Sequence, residues 1–390
     1  MDPSRRQAER VKTILTLFGT RPEIIKLAPV IRALEARGGA LRTLNVASSQ
    51  HRELLHPFAA RLAVRIDHDL DVMAPGQVPS EVCARVLARL DPLLAAEKPH
   101  LLLVQGDTTT ALAGALAGFH RGVPVGHVEA GLRTGDARSP FPEEMNRRLV
   151  TQLAQYHFAA TAENVETLRG EGVAAERIAL TGNPVVDALR HILASEESSP
   201  ELREALGPLA GLRLIALTTH RRESFGPVME GHLRVLRRFV ERHADLALVF
   251  PVHPNPAVRE VAERVLAGAE RVLRLEPLEY PDFIHLLSRA WLLVSDSGGV
   301  QEEAPTLGKP LLVLRENTER PEVLRCGVGR LVGNSSSRLE ALLEEARADE
   351  RWARHAGSVA NPFGSGDAGE RIAAAIERLL KLDGGGARRA

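Results

Sequence analysis

The chain has 390 residues, about 2.6 domains at the usual ~150 residues each, so two sizeable domains are the starting expectation. Hydrophobic residues make up 44% and charged residues 26%, which is globular composition and excludes disordered, collagenous and coiled-coil classes. Fifty basic residues balance fifty acidic ones, so neither nucleic acid nor an anionic membrane is expected as a partner.

The N-terminus is charged through Lys12, and only residues 14–18 run apolar before Gly19, too few for a secretory core. No apolar run approaches the ~18 residues of a spanning helix. Two cysteines, Cys83 and Cys326, make neither a disulfide framework nor a zinc site. A cytoplasmic protein is expected, with the head 1–8 and the tail 384–390 lacking fixed structure.

From there short β-rich runs alternate with amphipathic helical ones. Strands are expected at 13–18, 42–47, 101–104, 125–128, 157–160 and 178–180. A second set is expected at 213–217, 246–250, 272–275, 291–294, 310–314 and 329–332. Most are continuous apolar runs, as parallel strands buried on both faces require. Stretches such as 81–96 and 228–242 space Val and Leu three and four apart, the pattern of helices covering a sheet. Repeated βα units with right-handed crossovers predict an α/β fold of two Rossmann-like, doubly wound domains facing a central cleft. The break falls in 194–211, where serine, proline and glycine interrupt the pattern, dividing the chain into 10–195 and 211–360. A final helix, 367–382, is expected to return to the first domain.

Ligands of open α/β sheets bind beyond the carboxyl ends of the strands, so the residues there carry the functional argument. After the first strand comes Gly19-Thr20-Arg21-Pro22-Glu23-Ile24-Ile25-Lys26. Thr20 and Glu23 have capping-box spacing, and a helix start beside Arg21 and Lys26 suits an anion. Lys26 is one of only five lysines, so it is an unusual choice in this chain. The third and fourth strands end in Gln105-Gly106-Asp107-Thr108 and Glu129-Ala130-Gly131, and Glu143 opens a later helix. For Asp107 the competing reading is a helix N-cap, and for Glu143 a surface pair with Arg147. Glu129, directly after Val-Gly-His-Val, needs a partner or a task. In the second half, Thr219-His220-Arg221-Arg222 and Pro251-Val252-His253 end two strands, and Asp296-Ser297-Gly298-Gly299 leads into a helix carrying Glu303. Ser297 and the paired glycines let backbone N–H groups approach a diphosphate, and Glu303 is placed for ribose hydroxyls. Neither a nicotinamide fingerprint nor a P-loop is present. A nucleotide–sugar fits this division, with carboxylates moving protons at the sugar.

These residues fall within longer motifs. Phe-Gly-Thr-Arg-Pro-Glu from Phe18, Gln-His-Arg-Glu from Gln50, Gly-Asp-Thr-Thr-Thr from Gly106 and Gly-His-Val-Glu-Ala-Gly-Leu-Arg-Thr-Gly from Gly126 mark the first half. His-Arg-Arg-Glu-Ser-Phe-Gly from His220, Val-His-Pro-Asn from Val252, Ser-Asp-Ser-Gly-Gly-Val-Gln-Glu-Glu-Ala-Pro from Ser295 and Thr-Glu-Arg-Pro-Glu from Thr318 mark the second. Together they resemble the non-hydrolysing bacterial UDP-N-acetylglucosamine 2-epimerases. The resemblance implies a GT-B fold, a homodimer, and interconversion of UDP-N-acetylglucosamine and UDP-N-acetylmannosamine without metal or nicotinamide cofactor, supplying precursors for cell-surface polysaccharide. It implies Asp107, Glu129 and Glu143 as acid/base groups, with the first base left open, and His220 as the residue that stabilises departing UDP. Arg21 and Lys26 would surround phosphates and sugar, Arg147 would stand beside the catalytic glutamate, and Ser297, Gly298, Gly299 and Glu303 would bind UDP. Phe283 would lie near the uracil and Arg320 in the ligand pocket. A second, activating substrate site would touch Gln50, Gln77, Arg221 and His253. Leu278, Glu53 and Gly76 depart from glutamine, glutamine and arginine in some relatives, which bears on base contacts and on activation. A hydrolysing epimerase, a GT-B glycosyltransferase and a nucleotide-sugar sensor remain as alternatives.

Overall fold

The computed structural model describes residues 11–48, 52–74, 76–195, 197–221 and 225–382. Gln50, the head 1–8 and the tail 384–390 lie outside these residues, as does the side chain of Glu53. The chain folds into two compact units. One is built from the described residues up to Ala188 and from Phe363 onward, the other from Leu189–Pro362.

The first unit holds a seven-stranded parallel sheet. Its strands are β1 Lys12–Phe18, β2 Leu41–Ala47, β3 His68–Asp69, β4 Leu101–Gln105, β5 Val125–Ala130, β6 Tyr156–Ala159 and β7 Ile178–Leu180. They lie in the order β3-β2-β1-β4-β5-β6-β7. The second unit holds β8 Arg213–Thr218, β9 Leu246–Pro251, β10 Val272–Leu275, β11 Leu292–Ser295, β12 Leu311–Val313 and β13 Gly329–Leu331, in the order β10-β9-β8-β11-β12-β13. Both sheets therefore grow outward in two directions from a central pair, β1/β4 and β8/β11, which is the doubly wound pattern. Two such Rossmann-like units in one chain are the composition of a GT-B fold.

The strands form where apolar residues run without polar interruption. Leu101–Val104 and Leu246–Phe250 are fully buried, as helices on both faces of a sheet demand. The two-residue β3 has no such run and was not expected. The strand anticipated from 291 begins at Leu292; Trp291 still donates its backbone N–H to Leu214 O of β8 at 2.8 Å, and its ring lies beneath the Arg213 guanidinium, 4.1 Å from ring centre to Cζ. Val-, Leu- and Ala-rich helix faces complete each core: Val82, Val86, Leu90 and Leu94 in the first unit, Leu233, Leu236, Phe239 and Val240 in the second. The last helix, Ala368–Leu382, packs on Arg21–Glu35 in the first unit, and the Asp187 carboxylate accepts from the N–H groups of Ala368 (3.1 Å) and Gly369 (2.9 Å) at its start. Among the described residues, no helix is long and apolar enough to cross a membrane.

Register sets the functional geometry. Leu17 lies beside Val104, so the turns after β1 and β4 emerge together. Thr218 lies beside Ser295, so the turns after β8 and β11 do likewise. Each pair is the point at which strand order reverses, where open sheets present a crevice.

Candidate functional site

In the first unit the turns after β1, β4 and β5 bring the predicted carboxylates and cations together. Glu129 sits inside β5 and not past its end, at φ +67°, where the register with β6 shifts between Val128 and Ala130. A non-glycine residue in the left-handed region is strained, and such an irregularity re-aims a side chain. The carboxylate it directs inward is buried and accepts from Lys26 Nζ, from Gln105 Nε2 and from Asn183 Nδ2, the last at 3.0 Å. One ammonium and two amides hold Glu129 as an anion. Gln105 and Asn183 were not anticipated; an amide before a helix-starting proline, Asn183-Pro184, is the only local signal for the second.

Asp107 is not the cap of the following helix. Thr108 takes that place, its hydroxyl accepting from Ala111 N at 3.0 Å, which leaves the neighbouring carboxylate for Arg147. Arg147 Nε and Nη2 both lie 2.8 Å from Asp107 Oδ2. The surface pair proposed between Glu143 and Arg147 is not formed either. Arg147 is buried and bonds Glu144 at 2.9 Å, because Glu144, one position on, faces inward from the helix Glu143–Leu153. Glu143 at the start of that helix keeps Oε2 shielded from solvent and without a hydrogen-bond partner. Arg21 opens the helix Arg21–Glu35 with its guanidinium over the Phe58 ring, 5.5 Å from the ring centre. His127, on β5, donates from Nε2 to Gly106 O at 2.8 Å and steadies the turn before Asp107; burial holds this imidazole down to about 4, so it is neutral at physiological pH.

In the second unit the centre is Asp296, fully buried at the end of β11. It accepts from Thr219 Oγ1 (2.7 Å), His220 N (2.9 Å) and Arg221 N (3.0 Å), and faces His220 Nδ1 at 3.2 Å. The arrangement fixes the imidazole with Nε2 directed away from the carboxylate. The His220 ring stacks on His253, 5.7 Å between centres. Ser297 stands at the N-cap of the helix Gly298–Leu307 but makes no side-chain capping bond, so the first-turn N–H groups are left to an anion. Gly298 has no room for a side chain: an added Cβ would lie 2.6 Å from Arg320 Nη1. Arg320 is buried under this turn, pinned by Glu302 and Glu319 at 2.5 Å each. Glu303 accepts from Tyr280 Oη at 2.8 Å, and burial beside this carboxylate pushes the phenol well above its ordinary range. Phe283 lies half-buried on the same helix as Tyr280, Tyr280–Arg289.

The residues expected at a second ligand site divide between the two units. Gln77 spans its own loop, accepting from Ala74 N and donating to Val72 O, both at 2.8 Å, in the first unit. Arg221 and the exposed His253 flank His220 in the second.

Comparison with known proteins agrees with this composition. The family model described as UDP-N-acetylglucosamine 2-epimerase matches residues 32–377. The UDP-N-acetylglucosamine 2-epimerase of Escherichia coli K12 is 44% identical over 369 residues, covering 93% of this chain and 98% of that protein. The Neisseria meningitidis UDP-GlcNAc 2-epimerase, solved bound to UDP-GlcNAc, superposes with a TM-score of 0.89 at 37% identity, covering 95% of this chain and 100% of the other. The Staphylococcus aureus MnaA–UDP structure gives 0.88 at 39%, covering 95% and 97%. Matched along nearly its whole length and carrying the two sets of strand-end residues, the chain belongs to the UDP-N-acetylglucosamine 2-epimerase family.

Proposed function

We propose that this protein interconverts UDP-N-acetylglucosamine and UDP-N-acetylmannosamine without releasing the sugar from UDP, by elimination and re-addition. The observation that carries the reading is the division of chemistry between two strand-reversal points. One bears an open glycine-rich helix start and an oriented histidine; the other bears three carboxylates in contrasting environments. A base takes the C2 proton, the C1–O bond breaks with its electron pair leaving on UDP, and C1=C2 forms to give 2-acetamidoglucal. Coupling the two events is necessary because a proton beside an acetal carbon is not acidic by itself. Re-addition of UDP at C1, with protonation of C2 from the other face, completes the inversion.

Inversion needs proton-carrying groups on both faces, and Asp107, Glu129 and Glu143 supply them. Glu129, held ionised by Lys26, is an acceptor or a stabiliser of positive charge at C1. Glu143, with an unpaired oxygen, is a carrier. Asp107 is tied to Arg147 and shares its charge. Ser297, Gly298 and Gly299 take the diphosphate on backbone N–H groups, Glu303 the ribose, and Phe283 the base. His220, turned by Asp296, meets the negative charge that grows on the leaving phosphate, where an oriented donor is worth most.

Assembly as a homodimer, a cytoplasmic place, a role in polysaccharide precursor supply and activation by a second substrate molecule belong to the same reading and rest on the resemblance. The apolar Phe119, 61% exposed, and the exposed Leu149 of the first unit are consistent with a subunit contact. Chromatographic separation of products tests the central point: at equilibrium both epimers should remain linked to UDP, and accumulation of free N-acetylmannosamine with UDP would identify a hydrolase instead.

A further inference from the structure

The helix Arg21–Glu35 begins with a carboxylate for which this reaction has no use. Glu23 is only 1% exposed. Its Oε2 accepts from Gly19 N at 3.0 Å and from Thr20 Oγ1 at 2.7 Å, both in the turn after β1. Its Oε1 accepts from Thr108 Oγ1 at 2.8 Å, in the turn after β4. The capping box anticipated for Thr20 is half made: the Glu23 carboxylate reaches back to the Thr20 backbone N–H, while the Thr20 side chain returns no capping bond and donates its hydroxyl to Glu23 instead. Thr108 has one hydroxyl hydrogen, given to Glu23, while its oxygen caps the next helix through Ala111 N. A second tie runs alongside, with Ser48 Oγ 2.9 Å from Thr110 Oγ1, joining the turn after β2 to that helix.

A glutamate in a first helical turn serves the helix dipole equally well from the surface, so burial calls for another reason. Here burial pushes the carboxyl from its ordinary 4.5 up to about 7, against the hydrogen bonds that pull it down. The charged groups around it are otherwise engaged. Arg21 lies over Phe58, Lys26 is paired with Glu129, and Asp107 is paired with Arg147. On the neighbouring helix Arg52–Arg61, His56 is bonded to Asp69 at 2.7 Å.

We propose that Glu23 is a positioning residue, fastening the turn that bears Arg21 to the turn that bears Asp107 so that a cation and an acid/base carboxylate keep one spacing. The function of the tie rests on the epimerase reading; its geometry does not. As arranged, two hydroxyls and the backbone donors all point at an ionised carboxylate. Adding a proton makes a hydroxyl turn to accept or a donor turn away, and that rearranges the tie, which sub-ångström placement of catalytic groups does not tolerate.

The test compares wild type with Glu23→Gln, Glu23→Ala, Thr108→Ser and Thr108→Val by rate of epimerisation from about pH 5.5 to about pH 9. Wild-type kcat should fall on the acid side with a midpoint near 7, and Glu23→Gln should lack that limb. Glu23→Ala and Thr108→Val should lower kcat about 10- to 100-fold with KM changed less than about threefold, whereas Thr108→Ser stays within about threefold of wild type. An acid limb unchanged in Glu23→Gln, or wild-type kcat in Glu23→Ala, overturns the proposal. If Glu23→Ala does not fold, the threonine pair and the glutamine profile still decide. If wild type has no epimerase activity, the functional reading fails separately. Hydrogen exchange of the Gly19 amide, which donates to Glu23, then reads the tie directly: faster exchange in Glu23→Ala than in wild type supports it, and unchanged exchange overturns it.

Discussion

Replacing Glu23 by glutamine should change how the stability of the first unit depends on pH, and the size of the change follows from burial. The carboxyl rises from 4.5 in the unfolded chain to about 7 in the fold. A carboxyl raised on folding gives stability that is complete below the unfolded value and is lost as pH climbs through the folded one. The full difference is about 3 kcal/mol at 1.36 kcal/mol per unit, of which about 2.5 kcal/mol falls between pH 5 and pH 8. Glutamine does not titrate, so the stability gap between variant and wild type should shift in the variant's favour by about that amount as pH rises. Any fixed cost of the amide cancels in this difference, as do the buried histidines common to both proteins. The assay is urea unfolding followed by far-ultraviolet circular dichroism at several pH values. Tryptophan fluorescence serves as the control, because Trp291 and Trp352 both lie in the second unit and should report no such difference. Parallel pH curves for the two proteins would refute the burial argument.

Other consequences are as direct. Gly298→Ala should weaken UDP binding at least about tenfold by calorimetry, because the new methyl meets a guanidinium that two glutamates prevent from retreating. Gly19→Ala places a methyl 2.3 Å from Ser48 Oγ and 2.7 Å from Thr110 Oγ1, and should cost about 1–3 kcal/mol in denaturant midpoint, partly restored by Ser48→Ala. His127 and His157 are each lowered by burial to about 4, so the stability they allow is present above their ordinary 6.5 and is lost as pH falls toward 4. The first unit should therefore begin to unfold in that window, and His127→Asn should delay the onset. Glu129→Gln should reduce turnover by at least about a hundredfold while leaving UDP affinity within about threefold, and normal turnover would demote Glu129 to a structural part.

The strand positions were legible because parallel strands buried on two faces are largely apolar, and twelve of the thirteen strands among the described residues were expected, most of them from continuous apolar runs. The thirteenth, His68–Asp69, carries a histidine and an aspartate and left no hydrophobic trace. Motifs located the turns but not the pairings within them. Asp107 and Thr108 are both good cap residues, and only the fold shows that the hydroxyl caps while the carboxylate takes Arg147. Glu143 and Glu144 are likewise adjacent, and helical periodicity alone does not say which meets the arginine. The partners of Glu129 come from three other segments, so Gln105 and Asn183 become visible only once strands are laid side by side. Asp296 stood inside a recognised motif, yet its hold on His220 depends on β8 and β11 being neighbours, which strand reversal decides.

Incubation with UDP-N-acetylglucosamine in D2O, with no added metal or nicotinamide, tests the carboxylate-driven inversion at the reacting atom. The account predicts deuterium at C2 in both epimers, each still carrying UDP, and loss of that exchange in Glu129→Gln. Epimers formed with C2 hydrogen retained would contradict it, since proton transfer through acidic side chains in D2O must wash that hydrogen out.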